Sequence, residues 1–163
     1  MSTNFNEFRL RVNTSAPVEK VYAAWATQEG LESWFLSRAD IMNGSAARQG
    51  DEPAQKGDAY EFRWHGHPDG MSHKGKIVAA DGKSQFTFTF SQDYPVSISL
   101  YREHDETIVD LVETFDPADE GSTKHFVSNM KGWIFFLANL KSVMEGGIDL
   151  RNRKVELKNV ITS

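Results

Sequence analysis

Cysteine is absent from this chain, which removes disulfide scaffolds, thiolate zinc sites, iron–sulfur clusters and cysteine nucleophiles in one step. The natural setting for such a sequence is a reducing compartment, and a cytoplasmic location is expected. Long apolar runs are also missing, since no stretch approaches the ~18 residues of a membrane-spanning helix. The segment Met1 to Arg11 alternates Phe with charge and has neither a basic start nor an apolar run, so no signal peptide is expected. Basic residues are in deficit: 18 Lys and Arg against 23 Asp and Glu leave a net charge of −5, which repels a phosphate backbone. Nucleic acid is therefore not an expected partner. The basic cluster Arg151 to Lys158 is interrupted by Val155, Glu156 and Leu157 and reads as the solvated edge of a C-terminal element.

Aromatic residues are what the chain does have. Eleven Phe, four Trp and four Tyr in 163 residues mean that much of any core is ring surface. A chain of this length buries roughly 70% of its unfolded surface, enough for a core without staples. No internal repeat or low-complexity tract divides it, and residues 1–163 read as one domain.

Phe8, Leu10 and Val12 alternate with Glu7, Arg9 and Arg11, the period-2 signature of a half-buried strand. Thr14 or Ser15 can cap the helix that follows, and Pro17 suits its first turn. Val18, Val21, Tyr22 and Trp25 then recur at helical spacing until Gly30, after which Leu31, Trp34 and Phe35 form a second short apolar face. Ser37 to Asn43 reads as a brief strand, and Gly44 to Gly57 as a mobile surface loop without periodicity. From Asp58 onward the pattern is antiparallel: Tyr60, Phe62 and Trp64 share a face, Met71 to Ala80 follows, and Asp81-Gly82 turns the chain into Phe86, Phe88 and Phe90. Val96, Ile98 and Leu100 form the next strand, and His104-Asp105 turns into Thr107 to Phe115. Ser122 to Glu145 is a long helix with one internal Gly, its stripe running through Phe126, Met130, Trp133, Leu137, Leu140 and Met144. Phe135 lies almost opposite that stripe. The tail from Ile148 is expected to fold back over it, with a homodimer or another protein partner as the rival cover.

The fold class that follows is α+β: a curved antiparallel sheet of about six or seven strands around a long C-terminal helix, with two short helices after strand one. Because a twisted sheet and a straight helix do not meet flush along their length, the fit leaves room for a cavity.

The stretch APVEKVYAAWATQEGLESWF, Ala16 to Phe35, resembles the opening helices of the START-like, or birch-pollen-allergen-like, superfamily of helix-grip domains (SRPBCC). HFVSNMKGWIFFLANLKSVMEGG, His125 to Gly147, resembles the closing helix of one branch, the bacterial relatives of the activator of heat-shock protein 90 ATPase. The likeness runs from Phe5 to about Arg151, and it concerns fold more than activity. It implies a cavity between sheet and helix for a small apolar or amphipathic ligand; some relatives are cyclases, and eukaryotic activators use the domain within a cochaperone. The separate N-terminal domain by which the eukaryotic activator docks is not expected here, so chaperone activation does not follow from the likeness. The Gly44 to Lys56 insert has no counterpart that can be interpreted.

Cavity walls are expected at Trp34, Phe62, Trp64, Phe88, Ile98, Leu111, Trp133 and Leu137, each of which also suits an ordinary core. Trp133 has an indole N–H that needs a partner when buried. Glu113 is the ionisable residue to single out. If Val109, Leu111, Glu113 and Phe115 face inward, its carboxyl enters an apolar interior as an acid or a polar anchor. Otherwise it reaches water at a strand end or pairs with Arg63. His65, His67 and His73 have a spacing that a metal could use, yet Gly66, Pro68, Asp69 and Gly70 make this a polar turn, and no metal or other cofactor is expected. No G-x-S-x-G elbow, P-loop or dinucleotide fingerprint occurs, so no catalytic residue is assigned. The leading expectation is a non-catalytic binding module. A cyclase-like enzyme using Glu113 or a histidine and a cochaperone-like interaction module are the alternatives.

Overall fold

A computed structural model describes residues 4–68 and 70–161. Residues 1–3, 69 and 162–163 lie outside it, so the start of Met1–Arg11, Asp69 of the histidine turn and the last two residues of the tail are not described. The chain runs β1 (Glu7–Thr14), α1 (Val18–Ala26), α2 (Gln28–Trp34), β2 (Arg38–Asn43), β3 (Ala46–Ala47), β4 (Ala59–Arg63), β5 (His73–Ala80), β6 (Gln85–Phe90), β7 (Tyr94–Glu103), β8 (Glu106–Thr114) and α3 (Ser122–Met144). The eight strands form one antiparallel sheet in the order β1-β8-β7-β6-β5-β4-β2-β3. The α+β helix-grip architecture is as the sequence predicts. The eighth strand is β3, a two-residue pairing too short to leave a period.

Two local readings are corrected. The break between the short helices falls at Thr27, not Gly30: the Thr27 hydroxyl donates to the Ala23 carbonyl (2.8 Å) and accepts from the Gly30 N–H (2.9 Å), ending α1 and capping α2 together. Gly30 lies inside α2 because a Cβ there would sit 2.0 Å from the Ala23 oxygen, so its role is close helix–helix approach. The Gly44–Gly57 segment is anchored rather than loose. Arg48 donates to buried Asp58 (2.7 and 3.0 Å) and to Glu52 (2.6 Å), while buried Ala54 donates its N–H to the Ala26 carbonyl (2.7 Å).

The helix stripe seals one side of the sheet. Phe126 meets Phe5, Phe8 and Phe115 edge-on or tilted at 5.2–5.4 Å, and Trp133, Leu137, Leu140 and Met144 are buried behind it. Phe135 is half-buried and its ring meets Phe136 at 5.2 Å. The tail returns to the body through polar groups. Arg151, with its side chain 2% exposed, donates to the carbonyls of Leu36 (2.8 Å) and Glu32 (3.0 Å) at the end of α2 and to Asp149. A buried cation there satisfies carbonyls that the helix leaves without partners. Asn139 of α3 completes the latch, donating to the Trp34 carbonyl and accepting from the Leu150 N–H. No helix of the described residues is long and apolar enough to cross a membrane.

Candidate functional site

Alternation along β8 turns Val109, Leu111 and Glu113 toward the helix and leaves Asp110 on the outer face, where it pairs with Arg9 and accepts from Tyr101. Glu113 is 0% exposed. Its register partners on β1 and β7 are Phe8 and Val96, so the sheet offers its carboxylate nothing polar. The compensation comes from α3, which crosses above. Asn129 Nδ2 donates to one oxygen (2.8 Å) and Trp133 Nε1 to the other (2.9 Å), from positions i and i+4 on one face of the helix. Burial pushes the carboxyl up to about 7, and the two hydrogen bonds pull against that rise. Arg63 instead pairs with Glu61 (2.6 Å) and Asp40 (3.4 Å).

The same two donors line a void of about 110 Å³. Its walls are the rings of Phe35, Trp64, Phe90, Trp133 and Phe136, with Ser128, Asn129 and Gly132 completing the helix side. Phe35 lies nearly parallel to Trp133 (28°, 5.0 Å) and close to perpendicular to Phe136 and Trp64. Gly132 is the helix-interior glycine: a Cβ there would meet nothing within 4 Å. Such a glycine costs a helix roughly 1 kcal/mol relative to alanine, and here no neighbour forbids the methyl group. Gly132 lines the void and contributes no side chain to it. Trp64 also borders a second depression of about 210 Å³ with His67, Met71, Ser72 and His73.

Of the residues expected as cavity walls, Trp64 and Trp133 border the void, and Glu113 lies one hydrogen bond behind it. Trp34, Phe62, Phe88, Ile98, Leu111 and Leu137 belong to the packed core. Trp34 donates its indole N–H to the Ala24 carbonyl (2.9 Å) and packs between Trp25 and Phe35. Phe62 stacks on Tyr60, and Phe88 touches Trp133 from below. Sequence reasoning did not single out Phe35, Phe90, Phe136, Asn129 or Gly132 as lining. The signal available was the unexplained glycine inside α3, with Asn129 and Trp133 flanking it on the same side.

The histidines do not converge. Among the described residues no group of three His, Asp or Glu could hold a metal ion. His73 packs its ring against Phe90 (5.2 Å), and burial lowers its pKa. Burial, then the Arg151 and Arg153 charges, lower that of His65.

The fold is shared with solved structures. The protein SSP2350 from Staphylococcus saprophyticus superposes with a TM-score of 0.69 at 19% identity, covering 89% of this chain and 96% of that one. The Aha1 dimer from Colwellia psychrerythraea gives 0.63 at 18%, covering 86% and 97%. BH1534 from Bacillus halodurans gives 0.64 at 21%, covering 85% and 96%. Identities this low speak to the fold alone. Comparison with curated protein sequences finds no match. The sequence model of the family described as Activator of Hsp90 ATPase homolog 1-like protein matches residues 15–145, which spans both short helices, the sheet from β2 to β8 and all of α3, and the chain belongs to that family.

Proposed function

We propose that the protein is a non-catalytic binding module for a small apolar or amphipathic ligand, held between α3 and the β4–β6 side of the sheet. One observation carries this reading: a ring-lined void remains beside the closing helix, opposite a glycine whose missing side chain no neighbour requires. At about 110 Å³ the void is smaller than the roughly 300–1,000 Å³ of pockets that enclose drug-sized molecules. The part of the ligand seated in this partly open void is therefore a compact group, and any longer portion extends past Trp64 along the second depression. Native mass spectrometry after gentle extraction tests this directly. A bound small molecule lost from Gly132→Leu, which places an isobutyl group in the void, supports the reading; an unliganded mass for both proteins, with no probe shifting the Trp133 indole resonance, removes it.

A protein-interaction role is favoured by a separate observation. On α3, Val127 and Ile134 are 51% and 54% exposed one above the other, and Ile148 and Leu157 of the tail are also exposed. The Colwellia relative is a dimer, which supports self-association here. Phe135, half-buried against Phe136, offers less surface than these residues. Sedimentation of the intact chain and of a Val127→Glu, Ile134→Glu variant decides the matter: a dimer that becomes monomeric supports this face, and a monomer in both rejects it.

A further inference from the structure

We infer that the group seated in the void is a small organic cation of the alkylammonium type, held by the lining rings and balanced by the Glu113 carboxylate. The inference rests on the binding role proposed above and narrows its ligand class. The wall chemistry is the first ground. Every apolar side chain lining the void is aromatic, and no Leu, Ile or Val takes part. An aliphatic guest needs no such selection, whereas a cation is drawn to ring faces, and Phe35, Trp64, Phe136 and Trp133 meet at angles that surround a guest on several sides.

The second ground is a missing counter-charge. Glu113 is fully buried, and both of its hydrogen bonds come from neutral donors, the Asn129 amide and the Trp133 indole. A buried carboxylate is costly unless a cation stands near it. The register partners of Glu113 are Phe8 from β1 and Val96 from β7 and its hydrogen-bond partners Asn129 and Trp133 from α3, while the Tyr60 phenol of β4, which donates to the Thr89 carbonyl, feels its charge from a distance. None is cationic. Asn129 and Trp133 are shared between the carboxylate and the void, so a cation in the void lies just across these two side chains from the charge that lacks a partner.

A proton linkage follows. Below the point where Glu113 ionises, a cationic guest must first displace its proton, so affinity for the cation rises by up to about tenfold per pH unit and then levels off. A neutral guest of the same shape gains nothing from the carboxylate, and its affinity stays flat or falls as pH rises. Choline and 3,3-dimethylbutan-1-ol provide that pair, since a quaternary carbon replaces the nitrogen without changing the outline.

The test is titration of each into the full-length protein at about pH 5.5 and about pH 8, followed by calorimetry and by the Trp133 indole N–H resonance. The expected result is a preference of about tenfold or more for choline at the higher pH, shrinking toward parity at the lower. Glu113→Gln should flatten the choline pH profile, and Gly132→Leu should abolish binding of both probes. The pH arm on the unmodified protein needs no variant, so a poorly folding mutant does not stall the test. If the neutral alcohol binds as well as choline at pH 8, the cation inference is overturned while the binding role stands. If neither probe moves the resonance at millimolar concentration, both are overturned. Decyltrimethylammonium below its micelle concentration separates two sources of the same chemistry: a tenfold gain over choline marks a tailed amphiphile, and parity marks a free small cation.

Discussion

Replacing Glu113 by Gln should change how stability depends on pH, and the size of the change can be worked from the site. The carboxyl is raised from its ordinary 4.5 to about 7 in the folded protein. A raised acid binds its proton more tightly folded than unfolded. Between these two values the native state therefore carries more protons than the unfolded chain, and stability falls as pH rises. The contribution is fully present below about 4.5, is lost progressively up to about 7 and is flat above. At about 1.4 kcal/mol per unit, the loss across the window is on the order of 3 kcal/mol. Glutamine has no such proton, and its amide fits the same partners: the carbonyl accepts from Trp133, and the NH2 donates to Asn129 once that amide turns over. Urea unfolding of both proteins, read by tryptophan fluorescence from pH 5 to pH 8, gives the difference curve. His65 and His73, whose pKa values burial lowers, are present in both proteins and cancel in the difference. A difference constant to within about 0.5 kcal/mol would show that Glu113 is not a buried titrating acid and would undo the reasoning.

Gly132→Ala should stabilise the protein by about 1 kcal/mol and raise Tm by about 2–4 °C in calorimetry while weakening ligand binding, because the methyl group meets no neighbour and enters the void. Arg151→Ala should cost about 3 kcal/mol in chemical denaturation, since it leaves the Glu32 and Leu36 carbonyls without their donor, with Arg151→Lys intermediate because a single ammonium cannot serve both carbonyls and Asp149 together. At the β7–β8 turn, His104 and Asp105 hold φ of 47° and 65°, so the double change to Asn-Gly should stabilise by about 1 kcal/mol in the same assay, and a loss of stability would show that the native side chains hold the turn.

What the sequence reveals and what it hides divide along physical lines. Strands β1 and β6 alternate apolar with polar residues, so their composition records their geometry, whereas β8 is buried on both faces from Thr107 to Leu111 and its sequence leaves the direction of Glu113 open. The α3 stripe is legible for the same reason as β1 and β6. Strand β3 is not, because two residues hold no period and their pairing depends on Met42 and Asn43. The Thr27 break is obscured by Gly30, which looks like a helix breaker but is required by the approach of Ala23. Arg151 reads as a member of a solvated basic cluster, and only the fold brings it to the carbonyl end of α2. Which rings pack and which line a void is a question of contacts between distant elements. Phe88 and Phe90 alternate identically on β6, yet the first is core and the second is wall.

The position of the void follows from how the closing helix meets the sheet. At the start of the α3 stripe, Phe126 packs against Phe5, Phe8 and Phe115 near the β1–β8 edge, where ring contacts are dense. The lining positions Ser128, Asn129, Gly132, Trp133 and Phe136 recur at i, i+1, i+4, i+5 and i+8, one flank of the helix beside that stripe. Sheet curvature carries β4–β6 away from this flank, and Trp64, Phe90 and Phe35 reach across the gap without filling it. The two donors to Glu113 and the open glycine thus lie within about one turn of α3, so a guest in the void would touch the groups that hold the β8 carboxylate. For the cation proposed above, binding and the ionisation of Glu113 are linked through Asn129 and Trp133, and a cationic ligand that leaves the Glu113 titration unmoved would not occupy this site.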